Sequence, residues 1–341
     1  MRVLALVEGA EHVCCRYRVR AFAQALAASG ATLTVEPLAA GPSARWRQLG
    51  RAARFDVTIL QRKLLPSWQW RRLRAGARRL VFDFDDAVFL RDSYHPRGSR
   101  SPGRARRFAR TVREADAVLA GNRFLARRAV EAGAVEGNVH VLPTCIEPDR
   151  YPPKRAGFRG GPTLTAVWIG SSSTLQGLER RGPLWEELAK GVPGLRLRLI
   201  ADRAARFGPL PVEFVPWSEA TEAAALAGGD VGISLVPDDD WSRGKCGLKV
   251  LQYQGVGLPV VADPIGVHPE MVEAGVSGFL PESPGGFVDA FRALAADPAS
   301  LAEMGAAGRA SVVARYSVAA WSGRFVAALA GAEVHALSDI A

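Results

Sequence analysis

Lys245 and Lys249 stand four residues apart in a chain whose basic residues are otherwise almost all arginine, since lysine occurs only at 63, 154, 190, 245 and 249. An ammonium is a compact point charge suited to phosphate. A spacing of four is about one helical turn, so a helix through this stretch carries both groups on one face. Gly244 and Gly247 free the backbone ahead of that helix, and the unpaired amides at a helix start are partly positive. Arg243, Gly244, Lys245, Lys249 and these amides are therefore candidates for gripping an anionic, phosphate-bearing ligand. The same pattern is also what a solvated helix face presents.

Other chemistry-bearing residues lie at predicted strand ends. Pro259-Val-Val-Ala262 is a short apolar run suited to a buried parallel strand, and Asp263-Pro-Ile-Gly266 turns the chain at its carboxyl end. In open α/β sheets ligands sit at that end. Leu164–Ile169 is a second such strand, followed by Gly170, Ser171, Ser172, Ser173 and Thr174, a small-residue turn that lets amides and hydroxyls approach an anion. In the first half, Leu80-Val-Phe-Asp-Phe-Asp-Asp86 places Asp83, Asp85 and Asp86 at a strand end. Those carboxylates suit metal binding, or acceptor orientation and proton abstraction, or capping and ion pairing with nearby arginines. His12 lies in the loop after the first strand, as a cleft acid or base or a plain loop histidine. Arg16 and Arg18 follow it near the start of a predicted helix Val19–Ala28, where their charge opposes the helix dipole and suggests a ligand instead.

The run from Asp230-Val-Gly-Ile-Ser-Leu-Val-Pro through Lys249-Val-Leu-Gln-Tyr to Gly257-Leu-Pro-Val-Val-Ala and Gly266 resembles the donor-binding half of GT-B glycosyltransferases, in particular the retaining family 4, or glycosyl transferases group 1. The resemblance implies an α/β fold of two Rossmann-like, doubly wound domains facing across a cleft, with a last helix crossing back to the first domain as part of the hinge. It implies a glycosyltransferase moving a sugar from a nucleoside-diphosphate donor to a glycan or lipid-linked acceptor, with retention and without metal or other cofactor. Two glutamates eight apart bracket the glycine loop in that family. Here Gly244 and Gln252 stand at those positions, and Gln252 retains the capacity to hydrogen-bond a ribose hydroxyl. Gly170, Ser171 and Ser172 fall where the family receives the donor diphosphate, and Gly266, in the resembling run, counts among the donor-binding residues. Arg16 and Arg18 match an Arg-Tyr-Arg common near the cleft, and the GT-B pattern favours the acceptor role for Asp83, Asp85 and Asp86. Two other readings stay open: a non-catalytic relative acting as a binding or scaffold subunit, and a GT-B nucleotide-sugar epimerase or phosphorylase.

With 341 residues, 48% hydrophobic and 23% charged, the chain suits two soluble domains. We assign 1–150 to an acceptor-side domain, 151–161 to a Pro/Gly-rich linker, 162–316 to a nucleotide-sugar domain and 317–341 to the returning helix. No stretch is a spanning helix and the start is a strand rather than a signal peptide. Four cysteines without metal-site spacing fit a reducing cytoplasm. A net charge of +10 calls for an acidic partner. An anionic membrane surface ranks first, because Leu64–Arg74 mixes tryptophan, leucine and arginine like an interfacial helix. Its alternative is a solvated basic helix, and no nucleic-acid-reading motif accompanies the charge. Arg91–Arg110, around His95, has loop composition and is expected to close over an acceptor or face lipid.

Overall fold

Twelve strands form two parallel sheets of six in the computed structural model, which describes residues 1–154 and 163–332. The chain divides into two compact units. One holds Met1–Cys145, Asp239–Cys246 and the described residues from Val318 on; the other holds Ile146–Asp238 and Gly247–Ser317. Part of the expected linker 151–161 and the end of 317–341 lie outside the described residues.

In the N-terminal unit the strands are β1 (Arg2–Val7), β2 (Thr32–Pro37), β3 (Val57–Gln61), β4 (Leu80–Phe84), β5 (Ala117–Ala120) and β6 (Val139–Val141), in the order β2-β1-β3-β4-β5-β6. Successive side chains of a strand point to opposite faces, and β1 serves two cores accordingly. Leu4 and Leu6 join one cluster with Leu49, Trp70, Leu73, Phe108 and Val112. These come from the helices Pro42–Gly50, Ser67–Gly76 and Pro102–Glu114 and the segments beside them. Val3, Ala5 and Val7 join the other cluster with Cys15, Phe22, Leu26, Trp321 and Phe325. Phe22 and Phe325 stack with ring centroids 4.3 Å apart, so the final helix Val318–Ala330 belongs to the core of this first sheet, as the family resemblance implies.

The second unit contains β7 (Leu164–Ile169), β8 (Leu195–Ala201), β9 (Val212–Pro216), β10 (Val231–Ser234), β11 (Val260–Ala262) and β12 (Gly278–Phe279), in the order β12-β11-β10-β7-β8-β9. Tyr253, on the helix Leu248–Gly255, lies against Gly232 of β10 so closely that a Cβ there would meet its ring at 2.3 Å. Its hydroxyl accepts from the Ile169 amide at 3.1 Å and donates to the Ile233 carbonyl at 3.1 Å, tying β7 and β10 together. Both sheets are doubly wound. Strand order reverses between β1 and β3 in one unit and between β7 and β10 in the other, and a ligand crevice is expected at the carboxyl ends of those strands.

Several local expectations need correction. The first helix starts at Val13, capped by His12, and ends at Arg18; Arg20–Phe22 is a 3-10 turn and Ala23–Ala28 a second helix. Arg16 and Arg18 thus occupy a last turn, where positive charge is favourable rather than opposed. Arg91–Arg110 is not all loop: Pro102 starts a helix that runs to Glu114 and buries Phe108, Thr111 and Val112. Ser67–Gly76 turns Trp70 and Leu73 into the core. The turn at Gly170 opens a helix directly, Ser172–Glu179, and a second helix, Gly182–Gly191, follows it. β12 is only two residues long, too short for sequence periodicity to reveal.

Candidate functional site

In the C-terminal unit the carboxyl end of β7 is organised around Trp168, a buried residue of the core. The strand ends one residue later and Gly170 follows; a Cβ at Gly170 would meet the Trp168 ring at 2.5 Å, so only glycine lets the chain turn here. Ser171 caps the helix Ser172–Glu179 by position, but its hydroxyl pairs with that of Ser173 at 2.8 Å instead of with the helix backbone. The Ser172 hydroxyl donates to Asp202 at 2.8 Å. The Thr174 amide pairs with the Ser171 carbonyl at 3.0 Å, and the Ser172 hydroxyl and amide together hold the Asp202 carboxyl below its usual range, so a phosphate bound at this helix start shares it with that carboxylate. Lys249 lies in the first turn of Leu248–Gly255, and its ammonium sits 5.2 Å from the centroid of the Trp168 ring. One indole therefore gathers the serine turn and Lys249 into one neighbourhood.

Lys245 does not share a helix face with Lys249. Gly247 takes a left-handed conformation, φ 64°, and the helix begins only at Leu248. The expectation of two lysines on one helical turn fails because that residue redirects the backbone between them. Lys245 ends instead near Asp86, at 3.5 Å, and over the Trp241 ring, at 5.2 Å. Asp239–Cys246 as a whole belongs to the N-terminal unit. There the Asn122 amide donates to the carbonyls of Arg243 and Lys245 at 3.1 and 3.0 Å. The Cys246 thiol donates to the Asp85 carbonyl at 3.2 Å. Gly244 packs so tightly that a Cβ would meet Ala87 at 2.8 Å, and Arg243 forms a surface pair with Asp240 at 3.5 Å. Gln252, expected at a ribose, is buried with only 4% exposure, and its amide donates to the Tyr151 hydroxyl at 3.2 Å. That hydroxyl donates to Glu222 at 2.8 Å.

At the β10 and β11 ends the Asp263–Gly266 turn meets two buried groups that the sequence pattern did not single out, Ser234 and His268. His268 Nδ1 donates to the Asp263 carbonyl at 2.8 Å, which leaves Nε2 to accept from the Ser234 hydroxyl at 3.1 Å. Burial, with Lys249 adding repulsion, pushes the His268 pKa down to about 4, so the ring is neutral. The Asp263 carboxylate accepts from the Val236 amide at 2.7 Å and pairs with Arg181 at 3.3 Å, while burial pushes its pKa up. Gly266, φ 63°, turns the chain between Asp263 and His268. The partners are 34 residues apart in the chain, which is why spacing could not connect them.

In the N-terminal unit three carboxylates meet three cations at the ends of β3 and β4. Arg18 and Asp83 are each 1% exposed; the Arg18 Nε and Nη2 donate to Asp83 Oδ1 at 2.9 and 2.5 Å. Burial pushes the Asp83 carboxyl up and Arg18 pulls it down. With two short charge-assisted bonds and the Gln61 amide donating at 3.1 Å, the pair is ionised. Arg62 reaches Asp85 at 3.0 Å and Asp86 at 2.7 Å, and also bonds the Cys14 sulfur. Burial opposes ionisation of Asp85, but Arg62 and then Arg18 hold its carboxyl below the usual range. Among the described residues Arg62 is the one non-glycine with positive φ, 58°. An arginine held in the left-handed region beside the β1/β3 switch point marks a site whose surroundings over-determine it. His12 spends its Nδ1 on the Cys14 amide at 3.3 Å, as a helix cap, and the Arg16 guanidinium lies 4.8 Å from the Tyr17 ring centroid. Among the described residues no three His, Cys, Asp or Glu side chains are grouped to hold a metal ion.

Residues 194–297 match the family model described as glycosyl transferases group 1. No curated protein matches the sequence. Among solved structures, sucrose-phosphate synthase (tll1590) from Thermosynechococcus elongatus is similar, with 16% identity, coverage of 95% of this chain and 97% of that one, and a TM-score of 0.72. Anabaena Alr3699/HepE in complex with UDP and glucose gives 17% identity, 97% and 100% coverage and a TM-score of 0.69. The lipopolysaccharide outer core galactosyltransferase WaaB in its apo form gives 11%, 97% and 99%, and 0.64. The chain thus has the two-unit α/β fold of the GT-B glycosyltransferases it is similar to, with a segment that matches the group 1 glycosyl transferase model, in agreement with the sequence resemblance.

Proposed function

We propose that the chain is a glycosyltransferase that moves a sugar from a nucleoside-diphosphate donor to a hydroxyl of a glycan or lipid-linked acceptor. The observation that carries this reading is the convergence, around Trp168, of the Lys249 ammonium and the serine-rich helix start at the β7 switch point. It lies in the unit that contains most of the matched segment 194–297. Breaking the glycosidic bond of such a donor puts negative charge on the departing diphosphate. Fixed positive groups aimed at that charge supply the main catalytic effect, on the order of a hundredfold to a thousandfold per donor. Lys249 and the Ser173 amide take this role. The neutral His268 and the Gly266 turn set the wall beside them.

The Arg62–Asp85–Asp86 cluster, joined by Lys245, serves the acceptor. Asp85 and Asp86 orient the incoming hydroxyl, and Arg62 keeps the carboxylates ionised and in place. We further propose that the reaction needs no metal and retains configuration, as the resemblance to the group implies. Uridine diphosphate is the donor class to test first, because HepE is described with UDP and glucose. A cell-envelope acceptor, met at the cytoplasmic face of a membrane, is supported by the likeness to WaaB and by four free cysteines. The burial of Gln252 gives one specific ground for the alternative of a non-catalytic binding subunit. The experiment is a thermal-shift screen of UDP-sugars, followed by UDP-release assays with lipid-linked and free glycans. Stabilisation and turnover support the transferase. Stabilisation without turnover over a broad acceptor panel supports the binding subunit, and the absence of any donor effect overturns both.

A further inference from the structure

We infer that the N-terminal unit seats on an anionic lipid bilayer through the outer surface of the helices Pro42–Gly50, Ser67–Gly76 and Pro102–Glu114. Trp46 and Trp68 are 43% and 44% exposed although they are among the largest apolar side chains in the chain. They come from different helices, yet their rings stack at 5.8 Å with 28° between planes, and the Arg72 guanidinium lies 5.1 Å from the Trp46 centroid. A pair of indoles held together at the surface is a ready anchor for the headgroup region, where an amphipathic ring is most at home.

The charge around the pair is lopsided. Residues 43–79 contain eleven basic residues and one acidic residue, Asp56. Some of these turn inward, Arg62 and Arg79 among them. Arg47, Arg71 and Arg72 are exposed, as are Arg104, Arg106, Arg107 and Arg113 of the third helix. Arg110 fastens that helix to the second through the Ser67 hydroxyl at 2.7 Å and the Leu65 carbonyl at 2.6 Å. The inner faces of the same helices are consumed by Trp70, Leu73, Phe108 and Val112. The exposed tryptophans are thus not a spill-over of the core.

A bilayer fits better than a nucleic acid. Trp46 already has Trp68 and Arg72 against its ring, so the pair offers stacked bases less than two separate indoles would. Basic residues beside aromatic anchors are the combination that anionic headgroups answer. No described helix is long and apolar enough to cross a membrane, so the contact is peripheral. The inference deepens the membrane-side acceptor reading and rests on it only for the acceptor's whereabouts; its test needs no turnover.

The full chain is floated with vesicles of neutral phosphatidylcholine and of phosphatidylcholine containing phosphatidylglycerol. Binding is expected to the anionic vesicles alone, with a blue shift of indole fluorescence, and it weakens strongly between about 0.1 and 0.5 M salt. Trp46→Ala with Trp68→Ala is expected to lower the partition coefficient roughly tenfold or more. Arg106→Gln with Arg107→Gln, on an exposed helix face, is expected to lower it about fivefold per arginine. Unchanged melting in both variants excludes a folding defect, and the arginine variant stands alone if the tryptophan variant fails to fold. Equal binding to neutral and anionic vesicles, indifference to either double variant, or tryptophan-dependent binding to single-stranded DNA in place of vesicles overturns the inference. Loss of donor binding in the preceding screen leaves this result untouched, so the two readings fail separately.

Discussion

Removing the Arg62 side chain is the most informative perturbation of the N-terminal cluster, because it separates electrostatics from backbone conformation. Its guanidinium is the closest cation to both Asp85, at 3.0 Å, and Asp86, at 2.7 Å, and the three side chains are 17%, 13% and 17% exposed. Removing Arg62 takes from Asp85 its ion-pair partner and leaves Asp86 only Lys245 at 3.5 Å, at a cost of about 3 kcal/mol for a mostly buried pair. Arg62→Ala carries that loss and keeps a Cβ at φ 58°. Arg62→Gly carries the same electrostatic loss but relieves the left-handed strain, which is worth about 1 kcal/mol. The glycine variant is therefore expected to be the more stable of the two although it is the smaller. Asp85 is held below its ordinary pKa in the native state, so its contribution is present above the unfolded value and lost as pH falls through the native one. The gap between wild type and either variant accordingly narrows as pH falls below about 4. Amide hydrogen exchange of β3 and β4, followed at neutral and acid pH, reads the local opening free energy in this unit alone. Equal protection in the alanine and glycine variants, or a gap that widens on acidification, refutes the reasoning.

Two further outcomes follow from buried side chains. His268 is neutral in the native state with a pKa of about 4, against 6.5 unfolded; between these values the unfolded chain binds the extra proton, so stability falls as pH drops from about 6.5 and the loss levels off below about 4. The full loss is about 3 kcal/mol, and urea titrations across this range are expected to show the slope in wild type and a flatter one in His268→Gln. Phe325 is 1% exposed and stacked on Phe22, so Phe325→Ala is expected to cost about 3–5 kcal/mol and to raise exchange in β1 as well as in the last helix. Exchange confined to the last helix contradicts its place in that core.

The strands were legible because parallel strands buried on both faces are written as uninterrupted apolar runs, as Leu164–Ile169 shows by coinciding with β7 and Pro259–Ala262 by containing β11. The serine turn after β7 was legible too, since a run of glycine and serine at a strand end offers no core side chain and suits a backbone that must turn. Helix starts were less so. His12 caps through a ring nitrogen, which is not among the usual capping side chains. Gly247 looked like a loosened helix approach, whereas its left-handed conformation separates Lys245 from Lys249, and sequence spacing carries no sign of φ. The arginines of Pro102–Glu114 masked a helix whose buried stripe is only Phe108, Thr111 and Val112. Arg62 and the His268 network were invisible because their partners are supplied by strand order, not by neighbours in the chain.

The central claim is that Lys249 and the serine turn beside Trp168 grip a diphosphate. Calorimetric titration of UDP into wild type and Lys249→Ala tests it most directly. Loss of one charge-assisted contact to the phosphate, worth about 1.5–3 kcal/mol, is expected to weaken binding by roughly tenfold to a hundredfold with the fold intact by melting temperature. UDP affinity unchanged by the substitution, or no UDP binding by the wild-type protein, contradicts the account.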